Sequence, residues 1–181
     1  IGIDYAPTNT LTKSLDLGDN GLNILSNNDQ FGIGLGLTAD GKILAVSSPK
    51  DDGKNTTNDA DDNYGAVHLF TFSDSDFTGA TYAASIGNNY TGGKNYDTSA
   101  SGETPITGWG AATVAVDGDG NRIAIGSLEH NDMAGYIKVF DYDSSIGSYT
   151  QVGNDINGSE LDLNGSPLSA GNIGLSLIHI S

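Results

Sequence analysis

An internal repeat constrains the fold of this chain more than any other feature. Residues 40–48, DGKILAVSS, recur 79 positions later as DGNRIAIGS at 119–127. A second pair, GAVHLFTF at 65–72 and GYIKVFDY at 135–142, is offset by 70 positions. The nine-residue difference falls in the polar segment after Pro49, where a loop insertion is expected. The repeat predicts two copies of one structural unit that bury their apolar surfaces against each other.

Each unit is predicted to contain four short antiparallel strands. Apolar residues alternate with glycine from Phe31 to Leu37, and this period of two indicates a strand. Asp40-Gly41 supplies a tight hairpin turn, and 43–46 is apolar at every position, as in an inner strand covered on both faces. Two further strands are expected at 67–72 and 81–86, and the second unit repeats the pattern at 113–116, 122–126, 136–142 and 148–152.

Composition excludes several classes of function. The chain carries 23 acidic and 7 basic residues, a formal net charge of -16, which repels nucleic acid and anionic lipid headgroups. No apolar run approaches the roughly 20 residues that span a bilayer, so no membrane insertion is expected in this segment. The absence of cysteine excludes a disulfide framework and a zinc–thiolate site. Twenty-six glycines, and 20 Asp against 3 Glu, favour turns over helices and predict an all-β fold.

Three sequences of the first unit resemble the FG-GAP repeat, the unit of integrin α-subunit propellers and of many large bacterial surface proteins. They are DQFG at 29–32, AVSSP at 45–49, in which the Gly-Ala-Pro element is degraded, and GAVHLF at 65–70. In the second unit the matching aromatic–glycine pair, Trp109-Gly110, stands one position out of register. The resemblance covers 29–152. It implies a partial β-propeller with two four-stranded antiparallel blades plus fragments of flanking blades.

The repeat and the resemblance together divide the chain into six segments. They are the end of a preceding blade or a linker (1–28), the first blade (29–93), a linker (94–108), the second blade (109–158), the start of a third repeat (159–174), and residues 175–181, LSLIHIS, which match the translation of a sequencing-library adapter. We expect the chain to be a fragment of a larger protein, since a propeller ring needs at least about four blades.

Two acidic loops are candidate calcium sites. In integrin-type blades calcium lies in an Asp-x-Asp-x-Asp-Gly loop between the first two strands, and the resemblance places Asp117, Asp119 and Asn121 there. Arg122 stands where the turn glycine is expected, so a plain hairpin turn is the alternative. The insertion loop carries further carboxylates, whose mutual repulsion either calcium or an extended, solvated loop would relieve. They belong to Asp51, Asp52, Asp59, Asp61 and Asp62.

Catalytic signals are scarce. Residues 129–132, EHND, combine acids with a histidine, a cluster typical of a solvated turn. His68 lies within a predicted strand and is expected to be a packed or edge histidine, and Trp109 is expected to pack between blades. The sequence contains no nucleophile elbow, phosphate-binding loop or His-Glu-x-x-His motif.

The sequence therefore predicts a non-catalytic propeller module, with calcium as the one cofactor considered. The resemblance implies an extracellular or bacterial cell-surface location, binding of a protein or glycan ligand, and packing against neighbouring blades of the same chain. Nucleic acid is not an expected partner. Two alternatives stay open: an accessory propeller region of a secreted hydrolase, and a structural spacer that binds no ligand.

Overall fold

The computed structural model describes residues 24–26, 28–54, 63–99, 113–127 and 135–158. Within these ranges ten β-strands form two sheets, and no helix, and hence no membrane-spanning helix, is present. The first sheet contains β1 Leu35–Leu37, β2 Ile43–Ser48, β3 Ala66–Thr71, β4 Thr81–Gly87 and β5 Tyr96–Asp97. The second sheet contains β6 Thr113–Val116, β7 Arg122–Ser127, β8 Tyr136–Asp143, β9 Ser148–Gln151 and β10 Ile156–Asn157.

Both sheets are built as antiparallel meanders, in which strands adjacent in sequence pair with each other. The first sheet has the order β1-β2-β3-β4, extended by β5, which pairs with β4 in parallel. The second has the order β6-β7-β8, and β9 and β10 share the remaining edge of β8. The all-β, partial-propeller prediction is thereby confirmed. The short strand β5 forms from residues that were assigned to the linker 94–108.

The first strand is shorter than the sequence pattern predicts. It begins at Leu35, whereas the alternation of apolar residues and glycine begins at Phe31. Gly32 has a φ of 100°, which an extended strand does not allow. The N–H of Gly34 donates to the side-chain Oγ of Ser47 at 2.7 Å instead of to a backbone carbonyl. These local contacts replace the first half of the predicted strand with a turn.

The two Asp-Gly pairs form the tight turns that the sequence predicts. Gly41, between β1 and β2, has a φ of 73°, and its N–H donates to the carbonyl of Thr38 at 2.9 Å. Gly120, between β6 and β7, has a φ of 72° and donates to the carbonyl of Asp117 at 3.2 Å. Glycine adopts this left-handed backbone without steric strain, so both turns close with the same geometry.

One apolar core joins the two sheets face to face. Its buried members are at most 6% exposed and come from both sheets. The first sheet contributes Ala45, Val67, Leu69, Ala84 and Ile86, and the second contributes Val114, Val116, Ile123, Ile125, Phe140 and Tyr149. Side chains of a strand alternate between its two faces, so one complete face of each sheet lies in this core.

The first strands of the two sheets lie close to each other at Gly36. A Cβ atom built at Gly36 would lie 3.0 Å from Cγ2 of Val116 and 3.1 Å from the carbonyl oxygen of Val114. Only a residue without a side chain lets β1 and β6 pack at this distance. This convergence of first strands is the arrangement of two consecutive propeller blades.

We predict that Gly36→Ala lowers the free energy of unfolding by about 1–3 kcal/mol, because the added methyl group forces β1 away from β6. Gly118→Ala is the matched control, since a Cβ there meets no atom within 4 Å. The control is expected to change stability by less than about 0.5 kcal/mol. Urea denaturation of both variants measures the difference, and equal stabilities would contradict the close packing at Gly36.

Candidate functional site

A series of buried polar side chains crosses the outer face of the first sheet, the face turned away from the shared core. Nε2 of His68 lies 3.1 Å from Oδ2 of Asp51, and Nδ1 lies 2.6 Å from Oγ of Ser85. Asp51 is 1% exposed, and the other two residues are 0% exposed. The three side chains therefore form an acid–imidazole–hydroxyl series without contact to solvent.

Strand pairing and loop geometry hold these residues in place. His68 on β3 and Ser85 on β4 are direct partners in the antiparallel register, so their side chains lie on the same face. Asp51 stands at the start of the insertion loop, where its N–H donates to the carbonyl of Ser48 at 3.1 Å. Its own carbonyl accepts the N–H of Gly65 at 2.8 Å, which closes the base of the loop.

Two tyrosines extend the polar network at its two ends. The hydroxyl of Tyr82 donates to Oγ of Ser85 at 2.9 Å, and the N–H of Ser85 donates to Oδ1 of Asn95 at 2.7 Å. The hydroxyl of Tyr90 lies 2.9 Å from Oδ2 of Asp51. Burial raises the pKa of Tyr82 and of Tyr90, and for Tyr90 the charge of Asp51 adds to the effect. Both hydroxyls therefore stay protonated and act as donors.

The order acid–imidazole–hydroxyl also occurs in hydrolases, but here all three side chains are buried. A nucleophilic serine must be within reach of a substrate carbonyl. The ring of Phe31 lies 5.9 Å from the ring of His68, and the ring of Tyr90 packs edge-on at 5.6 Å. Ser85 has no exposed surface. The network can tie the insertion loop to the sheet, and it satisfies polar groups that would otherwise be buried without partners.

The sequence analysis missed this network, although the prediction of His68 as a packed histidine is confirmed by its complete burial. Asp51 was instead assigned to a calcium loop. Oδ1 of Asp51 accepts the N–H of Gly53 at 2.7 Å, while Oδ2 is used by His68 and Tyr90. A carboxylate whose two oxygens both accept hydrogen bonds from protein groups fits a calcium ligand poorly.

The other predicted ligands of the insertion loop lie at its base or outside the described ranges. Oδ1 of Asp52 accepts the N–H of Asn63 at 2.8 Å across the base. Asp59, Asp61 and Asp62 lie outside the residues that the structure describes, as do the 129–132 cluster and Trp109. Among the described residues, no three acidic or histidine side chains converge in a group that could hold a metal ion.

The predicted calcium turn between β6 and β7 contains one unsatisfied carboxylate oxygen. Oδ1 of Asp117 is buried and has no hydrogen-bond partner, while Asp119 and Asn121 are exposed. The hydroxyl of Tyr149 donates to the carbonyl of Gly120 at 2.9 Å. Burial and, next, the charge of Asp117 raise the pKa of Tyr149 to about 12. The carboxylate of Asp117 is therefore partly shielded from solvent.

The equivalent turn of the first sheet has no such unsatisfied oxygen. Thr38 takes the place of Asp117, its hydroxyl donates to Oδ1 of Asp40 at 2.7 Å, and it accepts the N–H of Ile43 at 3.0 Å. The second turn has carboxylates at both positions, Asp117 and Asp119. Two carboxylates cannot hydrogen-bond to each other when both are ionised, so Asp119 cannot satisfy Asp117 as Asp40 and Thr38 satisfy each other in the first turn.

Comparisons with known proteins add little to this description. No protein-family model matches the sequence, and no curated protein matches it. Among solved structures, the chain is similar to the periplasmic gluconolactonase PpgL of Pseudomonas aeruginosa, with a TM-score of 0.37 and 16% sequence identity. The match covers 71% of this chain and 28% of that protein, so the chain spans little more than a quarter of its length. The fold described above rests on strand order and packing alone.

We predict that Asp51→Ala lowers the free energy of unfolding by about 2–4 kcal/mol, because it leaves His68 and Tyr90 buried without their shared acceptor. Asp52→Ala, at the neighbouring position, removes a hydrogen bond nearer to solvent and is expected to lower it by about 0.5–1 kcal/mol. Chemical denaturation of the two variants distinguishes them. Similar losses of unfolding free energy would show that the buried network contributes no more to stability than the more exposed hydrogen bond of Asp52.

Proposed function

We propose that this chain is a non-catalytic, FG-GAP-type propeller segment of an exported or cell-surface protein that binds a protein or glycan ligand through its turns. The observation that carries the non-catalytic part is the burial of the acid–imidazole–hydroxyl series. His68 and Ser85 are 0% exposed, and their polar atoms already bond to neighbours within the sheet. The net charge of -16 favours neutral or cationic ligands over nucleic acid.

The turns at one end of the blades support the binding part of the proposal. In three of the described hairpins an aspartate at the start of the turn accepts a backbone N–H two residues later, at 2.8–3.0 Å. These residues are Asp40, Asp74 and Asp143. Hydrogen bonds from Thr38, Thr78 and Ser145, respectively, lower the pKa of each carboxyl below its usual value. Turns with fixed side chains on a rigid sheet are suited to ligand recognition.

Exposed apolar side chains occupy equivalent positions at the tips of two of these turns. Phe77, between β3 and β4, is 49% exposed, and Ile146, between β8 and β9, is 62% exposed. They lie 69 positions apart, the same spacing as Asp74 and Asp143. An apolar group beside a fixed carboxylate is a common contact for a protein or a sugar ring.

The proposal is tested by binding of the intact chain to glycan arrays and to cell surfaces. We expect a bound ligand whose affinity falls at least about tenfold in the double variant Phe77→Ser with Ile146→Ser, because each side chain loses apolar contact area. Ile33→Ser is the control, since Ile33 is 57% exposed but lies away from these turns. Absence of any ligand, with and without calcium, would contradict binding and favour a structural spacer.

A fluorophosphonate probe tests the non-catalytic part of the proposal in the same preparation, because it labels an accessible nucleophilic serine. We expect no labelling of the folded chain, because Oγ of Ser85 is not exposed. Labelling that disappears in Ser85→Ala would contradict the non-catalytic proposal.

Calcium is proposed as a structural ligand of the turn that contains Asp117 and Asp119. We predict that millimolar calcium raises the melting temperature over that in chelator, by about 3 °C for each kcal/mol of binding free energy. Asp117→Thr, which copies Thr38 of the first turn, should abolish this rise and should melt above the wild type in chelator. Asp76→Asn removes an exposed turn carboxylate elsewhere and should leave the calcium effect unchanged. An unchanged wild-type melting temperature would contradict the calcium site.

A further inference from the structure

Each sheet has one face outside the shared core, and part of each of these faces is apolar: the β1–β2 side of the first sheet, beside the polar network, and the second sheet apart from the Arg122–Asp141 ion pair. The head face, on the first sheet, includes Leu35, Leu37 and Leu44 of β1 and β2, whereas Val46, which is paired with Leu35, is already buried. The tail face, on the second sheet, includes Ala115, Ala124, Ile137, Val139, Val152 and Ile156. Leu35 is 64% exposed on the head face, and Ile156 is 45% exposed on the tail face.

The repeat register shows what the head face is shaped to contact. Leu35 and Leu37 are equivalent, 79 positions apart, to Val114 and Val116 of the second sheet. Val114 and Val116 are only 6% and 3% exposed, because they pack against the face of the first sheet that lies in the shared core. In the second unit, positions equivalent to the head face are therefore covered by the face of a preceding unit.

The same register shows what the tail face is shaped to contact. Ala124 is equivalent to Ala45 at an offset of 79, and Val139 is equivalent to Leu69 at an offset of 70. Ala45 and Leu69 are 0% and 1% exposed, because the second sheet covers them. The tail face thus corresponds to the face of the first sheet that packs against the second sheet, and it is shaped to contact the head face of a following unit.

We propose that the head face of one copy of this chain docks on the tail face of a second copy and reproduces the contact between its own two sheets. This proposal rests on the blade arrangement, not on ligand binding. Such a contact joins unlike surfaces, so it repeats from copy to copy and ends only when a ring closes. The described residues nearest the N-terminus occupy another part of the head face. Ile24 packs against Ala66 and Tyr90 and leaves Leu35 uncovered.

Because of the net charge of the chain, the affinity between two copies should depend on the salt concentration. Each copy carries a formal charge of -16, so two copies repel each other at low ionic strength. Apolar burial drives the contact, and added salt screens the repulsion without removing that burial. Association should therefore strengthen with salt, whereas a contact held by ion pairs would weaken.

Analytical ultracentrifugation and light scattering of the full 181-residue chain test the proposal. We expect wild-type assemblies that grow with concentration and salt towards a species with a fixed number of copies. A head variant carries Leu35→Asp and Leu37→Asp, and a tail variant carries Val152→Asp and Ile156→Asp. All four side chains are at least 39% exposed, so the variants should fold, which circular dichroism verifies. Self-association of each variant should be at least about 100-fold weaker than that of the wild type.

Mixing the two variants gives the sharpest outcome. The tail variant keeps an intact head face and the head variant an intact tail face, so an equimolar mixture should form a 1:1 dimer and nothing larger. A control with Phe77→Asp and Ile146→Asp, exposed side chains at the turns, should assemble like the wild type. A monomeric wild type at all salt concentrations would overturn the proposal and would indicate that another segment of the chain covers the head face. A head variant that still self-associates, or a mixture without dimers, would overturn it as well.

Discussion

The apolar contact between the two sheets is the interaction on which the rest of the structure depends. A four-stranded meander with two apolar faces is not stable alone in water, because each face exposes side chains that must be buried. The shared core buries one face of each sheet, from Ala45 on one side to Phe140 on the other. The approach at Gly36 sets how closely the first strands converge. The turns can be rigid only because this contact fixes the strands that carry them.

Buried basic side chains occur at the same place in both repeats. His68 and Lys138 lie 70 positions apart on the third strand of each unit, and each is at most 1% exposed. Each has an aspartate partner from outside that strand: Asp51 at 3.1 Å and Asp155 at 3.0 Å. An ionised or hydrogen-bonding group buried without its partner is strongly destabilising, so these contacts hold the connecting segments against the sheets. These two buried polar contacts therefore contribute to the stability of the fold.

The repeat and its periodicity predicted the four main strands of each sheet and both Asp-Gly turns, but not the late start of β1, the short strands β5 and β10 or the polar network. Strand positions follow from local patterns, such as the apolar run before Ser47 and the Asp40-Gly41 pair, whose physical causes lie within a few residues. Asp51, His68 and Ser85 are spaced 17 residues apart, and only the pairing of β3 with β4 and the closure of the loop base bring them together. No local pattern encodes such a meeting, because it depends on register across strands.

The difference between the two Asp-Gly turns shows where repeats of one fold can acquire separate properties. In the first turn the Thr38 hydroxyl donates a hydrogen bond to Oδ1 of Asp40, so both polar groups are satisfied without a ligand. In the second turn Asp117 replaces that hydroxyl, and a buried oxygen is left without a donor. Neither arrangement alters the strands, because both glycines close the turn with nearly the same φ. Sheet residues are constrained on both faces by packing, whereas turn residues are constrained only by backbone geometry. Turn residues can therefore differ between the two repeats without altering the sheets, and this supports the proposal that binding lies at the turns.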